Sequence, residues 1–331
     1  MGRLGARPRL LCAAAFAALS ALAVLPSTAR ADTDARSWLA RMKTAASGIN
    51  YEGTLVFSTG GAVSSSRVWH YRVGDNSFER LEAQDGRQQR IYRHNDDVRT
   101  VWPHSGTAVV ERRETLAAWS TTPQAVDPRA AENYELRPEG TARVAGREAA
   151  VLMLKPRDKL RFAQRLWADQ ATGLMLRADV LGPNGNLVES SAFSAIDLDV
   201  KAQPDPVLQA MRQESGLRIV RPQQRRTTLE EQDWTLARAV PGFALAGCMQ
   251  RGAEAGGGDP PMLQVVFTDG LTHVSLFIER YSAERHRSEM QAQLGATHTL
   301  MRRFGEHWLT VVGDVPPAAL KMFAEALERR R

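Results

Sequence analysis

The sequence is poor in cysteine, and this limits how the protein can be stabilised. Only two cysteines occur in 331 residues, Cys12 and Cys248. Cys12 lies in an N-terminal segment that we expect to be removed, so no disulfide can form within the remaining chain. Cys248 stands in an apolar stretch that begins at Phe243, which predicts a small buried side chain. Stability must therefore come from packing.

The sequence also lacks the common catalytic and metal-binding motifs. No His-Glu-x-x-His, Cys-x-x-Cys or Gly-x-Ser-x-Gly occurs. The glycines of 253–261 precede no Lys-Ser or Lys-Thr pair, so they predict a loop and not a phosphate-binding turn. We expect no enzyme activity, cofactor or metal. A metal site assembled from distant residues and a Cys248–His273 nucleophile pair are the alternatives left open.

The first 31 residues have the pattern of a secretory signal peptide. Arg3, Arg7 and Arg9 precede the apolar run 10–25, and Ala29-Arg30-Ala31 supplies the small residues of a cleavage site. The run is too short to favour a membrane span, and Leu11 is too large for a lipoprotein cleavage site before Cys12. We expect a mature exported chain from Asp32, in a compartment where nucleotide chemistry is out of place.

Size and charge then restrict the class of protein. About 300 mature residues are enough for two domains. The formal net charge is +6, but four arginines lie in the leader, so the mature chain is close to neutral. We therefore expect no nucleic-acid partner.

The first part of the mature chain, 32–201, predicts a large β domain. A helix from Asp32 to about Gly48 is followed by segments with strand alternation and tight turns at Gly60-Gly61, Asp85-Gly86 and Asn184-Gly185. A short helical stretch is expected at 116–119. So many consecutive antiparallel strands must curl, which predicts a half-barrel in a mainly β fold.

A second, smaller α+β domain is expected at 229–331, after a linker at 202–228. The linker contains Pro204, Pro206 and Pro222 and shows no apolar periodicity. Strands are predicted at 262–268, 271–281, 297–304 and 307–312, and a terminal helix follows Pro316-Pro317.

Aromatic side chains are the main candidates for a binding site in the first domain. A curled sheet with few helices has difficulty filling its concave side, so an apolar ligand cavity is expected there. Each ring taken alone is also explained as ordinary core. The candidates for cavity lining are Trp69, Tyr92, Trp102, Trp119, Phe162 and Trp167.

Three stretches carry a resemblance to a known family. The segment from Leu166 to Arg177 resembles the strand-turn-strand of the periplasmic LolA/LolB lipoprotein-carrier half-barrels. The segments Phe267 to Glu279 and Val311 to Pro317 resemble signatures of the second domain of the RseB/MucB family. The resemblance covers essentially the whole mature chain, and departs from the family pattern in 253–261 and in the polar stretch 282–293.

The resemblance implies a regulator and not a catalyst. It implies a periplasmic protein that binds the periplasmic part of a membrane anti-sigma factor, RseA-like or MucA-like. That binding would shield the anti-sigma factor from the site-1 protease, and an acyl-chain lipid or mislocalised lipoprotein would release it. Fold-level analogy also permits a plain lipid or lipoprotein carrier, but a carrier needs only the half-barrel. A homo-oligomer is left open.

Two groups of residues are candidates for contact with the partner. In the second domain, the strand after Phe267 is partly apolar on both faces, so one face needs a cover from the first domain or from a partner. At the linker, arginines can meet carboxylates or lipid phosphates, or can belong to a solvated hinge. The candidates are Asp269, Leu271, Phe277, Glu279, Arg221, Arg225 and Arg226.

Overall fold

The structure is a computed structural model that describes residues 28–112, 127–252 and 261–330, with side chains from residue 36 onward. Residues 1–27 of the expected signal peptide, the helix expected at 116–119 and most of the glycine-rich loop lie outside the described residues. No helix in the described part is long and apolar enough to span a membrane.

The first domain is built on a 12-stranded sheet in the order β12-β6-β5-β4-β3-β2-β1-β11-β10-β9-β8-β7. All neighbours are antiparallel except β12 and β6, which are parallel. The strands are β1 (Tyr51–Thr59), β2 (Ala62–Val73), β3 (Asn76–Ala83), β4 (Arg90–His94), β5 (Asp97–Trp102), β6 (Thr107–Arg112), β7 (Tyr134–Val144), β8 (Arg147–Pro156), β9 (Ala163–Asp169), β10 (Met175–Leu181), β11 (Leu187–Asp197) and β12 (Arg218–Val220).

The sheet is strongly curled. β11 and β7 contact each other although three strands lie between them in the sheet order. Register irregularities in the pairing of β1 with β11, at Thr54/Leu55, and of β7 with β8, at Pro138/Gly140, bend the strands further. The expected half-barrel is confirmed.

One face of this sheet carries helix α1 (Thr28–Gly48). Leu39 and Met42, one turn apart, are buried against Leu154 and Leu166 of the sheet. Because residues paired across neighbouring strands share a face, the register places Val68 and Leu81 on this side too. We call it the α1 face.

The opposite face carries helix α2 (Asp205–Arg212), and we call it the α2 face. Val207 packs with Tyr71, Phe78 and Tyr92. The helix therefore belongs to the first domain, as does β12, which pairs with β6. The predicted linker 202–228 is thus wrong in its extent, because tertiary contacts order most of it.

The second domain is a 7-stranded antiparallel sheet in the order β13-β15-β16-β17-β20-β19-β18, packed on one face against helix α3 (Pro317–Ala326). A separate short pair joins β14 and β21. The strands are β13 (Gln224–Arg226), β14 (Trp234–Leu236), β15 (Ala244–Arg251), β16 (Met262–Thr268), β17 (His273–Arg280), β18 (Met290–Leu294), β19 (Thr297–Phe304), β20 (His307–Gly313) and β21 (Leu327–Arg329).

The core of this domain lies between the sheet and α3. Val274, Leu276 and Val311 face Leu320 and Phe323 of the helix, and all five side chains are almost fully buried. The expected small α+β domain is confirmed. The polar stretch at 282–293 contains part of an unpredicted strand, β18.

Candidate functional site

The two domains meet around a charge pair that water does not reach. Asp269, in the turn between β16 and β17, accepts a 2.6 Å hydrogen bond from Nε of Arg161, and neither side chain has exposed area. The Tyr134 hydroxyl donates to the same carboxylate oxygen at 3.2 Å. Burial, and then the Asp269 charge, raise the pKa of Tyr134 well above its usual value. Because Arg161 and Tyr134 belong to the first domain and Asp269 to the second, these bonds fix the two domains together.

Neighbouring contacts complete this joint. The main-chain N–H of Asp127 donates to the Gly270 oxygen at 2.9 Å, and Leu271 packs into the core beneath α1. The guanidinium of Arg161 also donates to Asp158 and to the Pro241 oxygen. Asp269 and Leu271, predicted to meet a partner, thus contact the first domain: Asp269 is buried and Leu271 is half-buried.

A second contact lies beside the β18–β19 turn. Glu189 of β11 accepts hydrogen bonds from the Thr59 hydroxyl, at 3.4 Å, and from the Ala296 N–H, at 3.5 Å. Burial, and then the Asp314 carboxylate, raise the pKa of Glu189 to about 7. The ring of Phe162 stacks near His298 at 5.9 Å between centroids. Phe162 therefore lies between the domains and not in a cavity of the half-barrel.

A third contact lies at the other end of the second sheet. Glu111 of β6, with 7% of its side chain exposed, pairs with Arg251 at 3.5 Å and accepts from Gln224 at 3.2 Å. Arg251 and Asp269 lie near opposite ends of the β15–β16 pair. The second sheet is thus attached to the first domain at both ends of its strands.

The cavity candidates do not converge on one site. Register places Trp69 and Tyr92 on the α2 face, where both pack around α2, and Arg67 and Arg80 lie over the Trp69 ring. Trp102 falls on the opposite face and is half-buried. Trp69 and Tyr92 therefore belong to the packing between the sheet and α2, on the face opposite α1.

The remaining candidates lie elsewhere. Trp167 is buried, pairs in register with Val151 and Arg177, and has the Arg177 guanidinium over its ring at 4.5 Å. Trp119 lies outside the described residues. A common aromatic cavity built from these side chains is therefore not what the described residues form.

Sequence reasoning selected Trp102 but missed the other apolar residues on the α1 face of the β1–β6 half. Phe57, Ile91, Trp102 and Val109 share this face by register and are only half-buried. Alternation within each strand contained the signal, but it does not tell which of two faces is the inner one.

Two partner candidates lie further along β17. Phe277 is half-buried on the sheet face opposite α3, next to Gln264 and Thr310 in register. Glu279 is held within its own domain, by an ion pair to Arg285 at 3.2 Å and by a contact with Nε2 of His286 at 3.4 Å. The Phe277 side chain is therefore partly exposed and can contact a partner, whereas Glu279 is bonded to the segment that follows β17.

The linker arginines do not form a loose hinge. Arg221 pairs with Glu214 at 2.6 Å. Arg225 lies in β13, pairs in register with Gln250 and donates to its side chain at 3.2 Å, and Arg226 is the exposed next residue of the same strand. All three are surface residues: Arg225 and Arg226 lie in β13, and Arg221 directly follows β12.

The catalytic alternative fails on geometry. Cys248 lies in the core cluster beneath α3, where burial raises its pKa to about 11. Register places His273 on the opposite face of the sheet, since its neighbour Val274 belongs to that core. The two side chains therefore cannot act as a pair. The described residues also contain no group of three or more His, Cys, Asp or Glu able to hold a metal ion.

Comparisons with known proteins match both domains. The family model for the MucB/RseB N-terminal domain matches residues 34–211, and the one for the MucB/RseB C-terminal domain matches residues 228–328. A relative from Pseudomonas aeruginosa, the sigma factor AlgU regulatory protein MucB, is 31% identical over 90% of this chain and 91% of its own. The sigma-E factor regulatory protein RseB of Haemophilus influenzae is 24% identical over 95% of this chain and 98% of its own.

A solved structure agrees with the sequence comparisons. A chain of the Pseudomonas aeruginosa MucA/MucB complex superposes with a TM-score of 0.69 at 27% identity, over 90% of this chain and 99% of that one. Both domains and nearly the full length are included. The chain belongs to the MucB/RseB family.

Proposed function

We propose that this protein is a periplasmic regulator that acts by binding and not by catalysis. Its partner is the periplasmic segment of a membrane-anchored, MucA-like or RseA-like anti-sigma factor, which it shields from site-1 proteolysis. It thereby keeps the envelope-stress sigma factor inactive. The relatives named as regulators of AlgU and sigma-E, and a solved complex of a relative with MucA, support this proposal.

The observation that carries the proposal is the match of both domains together with the joint between them. A plain lipid carrier needs only a half-barrel. Here a second domain is fixed to the half-barrel by the enclosed Arg161–Asp269 pair and by the Glu111–Arg251 pair. A buried ion pair has a desolvation cost and needs defined geometry, which suits a fixed relation between two domains.

A lipid of the acyl-chain class is proposed as the releasing signal. Phe57, Ile91, Trp102 and Val109 support it, because they leave partly exposed apolar area on the α1 face. Burial of a chain of about 14 carbons yields on the order of 11 kcal/mol before association costs of about 4 to 15 kcal/mol. A lipid that releases the partner must bind the partner-free form more tightly, so each ligand weakens the other by the same factor.

A protease-protection assay tests this function. The mature protein is mixed with the purified periplasmic segment of the anti-sigma factor from the same organism and with the site-1 protease. We expect cleavage to slow as the protein is added, and to recover when an acyl-chain lipid is added. Unchanged cleavage at saturating protein contradicts the proposal. Lipid binding without any protection favours the carrier.

A further inference from the structure

The two large sheets end in four edge strands among the described residues, and these edges differ in how they are protected. β7 contains Pro138, Gly140 and several charges, β12 has three residues and begins with Arg218, and β13 carries two arginines. Charges, proline and short length are the usual means of keeping a sheet edge from pairing with another chain. β18, with the sequence Met-Gln-Ala-Gln-Leu, has no charge, proline or glycine.

β18 is also open to solvent. All five of its residues are exposed, Met290 at 47% and Leu294 at 64%, and no described strand pairs with its outer edge. Register places Met290, Ala292 and Leu294 on the sheet face opposite α3, in line with Met301 and with Phe277 further in. A partly apolar surface therefore runs from the middle of the sheet to its open edge.

The first domain reaches the end of the same strand. A Cβ on Gly60, in the β1–β2 turn, would lie 3.4 Å from Cδ1 of Leu294. We call Met290, Ala292 and Leu294 the edge surface. It continues the contact between the domains around Glu189, so an occupant there would touch both of them.

We propose that the outer edge of β18 takes an extended segment of the partner polypeptide as an eighth strand of the second sheet. The inference rests on the function proposed above and names the surface that binds the anti-sigma segment. The segment has apolar side chains at alternate positions, which pack on Met290, Ala292 and Leu294. Recognition by added strands combines main-chain hydrogen bonds with alternate side-chain contacts.

The chemistry of the edge selects this occupant. A strand edge presents alternating N–H and C=O groups, which another extended backbone satisfies and an acyl chain does not. β18 has no charged side chain, so the strand offers no ion pair to a phosphate group or to an acidic tail. A second copy of this chain, paired β18 to β18, is the competing occupant. The hydrogen-exchange experiment distinguishes it from the partner segment.

Hydrogen exchange at single-residue resolution tests the pairing itself. The full mature protein is measured with and without the periplasmic segment of the anti-sigma factor. We expect alternate amides within Met290–Leu294, those whose N–H points outward, to gain protection of at least about tenfold, since backbone pairing protects every second amide. Contact through side chains alone leaves these amides unchanged and overturns the proposal. If these amides gain protection as the protein concentration rises, with no segment present, the edge pairs with a second copy. That result also overturns the proposal.

Matched variants test the β18 edge site separately from the proposed function, which is binding of the anti-sigma segment. The double variant Met290→Lys with Leu294→Lys should weaken binding of the segment by about tenfold or more, because charged side chains block edge pairing. Leu245→Lys is the control, since Leu245 is 52% exposed on β15 of the same sheet, and it should bind as the wild type does. Equal binding by all three proteins overturns the edge site and leaves the proposed function intact. No binding by the wild type overturns both.

Discussion

At the scale of single residues, the joint between the domains depends on a charge that has no access to water. Arg161 and Asp269 have no exposed side-chain area, and removal of one partner leaves the other as a buried charge. We expect Asp269→Ala to lower the free energy of unfolding by about 3 kcal/mol, as broken buried pairs do. Urea unfolding measures this loss, and limited proteolysis should show faster cleavage near Arg221.

The control for this change is an ion pair of the same type on the surface. Arg238 and Glu325 lie 3.2 Å apart with side-chain exposures of 62% and 60%. Glu325→Ala should cost less than about 1 kcal/mol, because solvent screens exposed pairs. Similar losses in the two variants would show that the Arg161–Asp269 pair does not fix the domains.

Glu189 gives the joint a dependence on pH. Its pKa in the folded protein is about 7, against 4.5 as the ordinary value. The folded state therefore holds the proton more tightly, so the contribution of Glu189 to stability is greatest below pH 4.5 and is lost as the pH rises from 4.5 through 7. Glu189→Gln removes the charge and should stabilise the protein on the order of 1 kcal/mol above pH 7, after allowance for solvent screening, with no gain below about pH 4.5.

Thermal unfolding at several pH values checks this prediction. Glu306→Gln is the control, because the side chain of Glu306 is 88% exposed and its replacement should leave the pH profile unchanged. A gain from Glu189→Gln that is equal at pH 4 and pH 8 would contradict the account of this carboxyl group.

At the scale of elements, helix α2 is held to the sheet through an arginine. Arg99 is almost fully buried, and its guanidinium donates to the Met211 oxygen at 3.1 Å and to the Gln213 oxygen at the end of the helix. Arg99→Met keeps the apolar volume but leaves both carbonyls without these donors. We expect a loss of about 2 kcal/mol in stability and faster hydrogen exchange in α2.

Arg90→Met is the matched change on the neighbouring strand. Arg90 lies on the same face by register, with 47% of its side chain exposed. It should leave α2 exchange unchanged. If Arg99→Met also left it unchanged, packing around Val207 alone would account for the position of the helix.

Local pattern determined some elements and could not determine others. The predicted strands at 262–268 and 297–304 match β16 and β19 residue for residue. β18 was missed because neither of its faces is buried, and only backbone pairing with β19 defines it. α2 and β12 were assigned to a linker because β12 depends on pairing with β6, more than 100 residues earlier.

The candidate site, like the fold, was predictable only in part. Asp269 was predicted to contact a partner, but sequence alternation does not tell whether the first domain or a partner covers a strand. Asp269 therefore proved to be part of the joint. Likewise, Trp69 and Tyr92 were predicted to line a ligand cavity, and only the cross-strand register places them on the α2 face, where they pack around α2.

At the scale of the whole molecule, the two domains are joined by the Arg161–Asp269 and Glu111–Arg251 pairs, and we propose that they bind as one unit. Partner segment and lipid should therefore oppose each other reciprocally. An acyl-chain lipid at ten times its own dissociation constant should weaken binding of the anti-sigma segment by up to about tenfold, measured by displacement of a fluorescent segment. Replacement of Trp102 by Gln should weaken lipid binding, while Trp69→Gln, on the α2 face, should not. An equal effect of the two variants would remove the α1 face as the lipid site.

The most direct test of the central claim is a calorimetric titration of the full mature chain with the periplasmic segment of the anti-sigma factor from the same organism. The account predicts saturable binding with a Kd of about 1 µM or lower, and a negative heat-capacity change from apolar burial at the interface. A folded protein that shows no heat of binding at several temperatures, with the segment at high micromolar concentration, would contradict it.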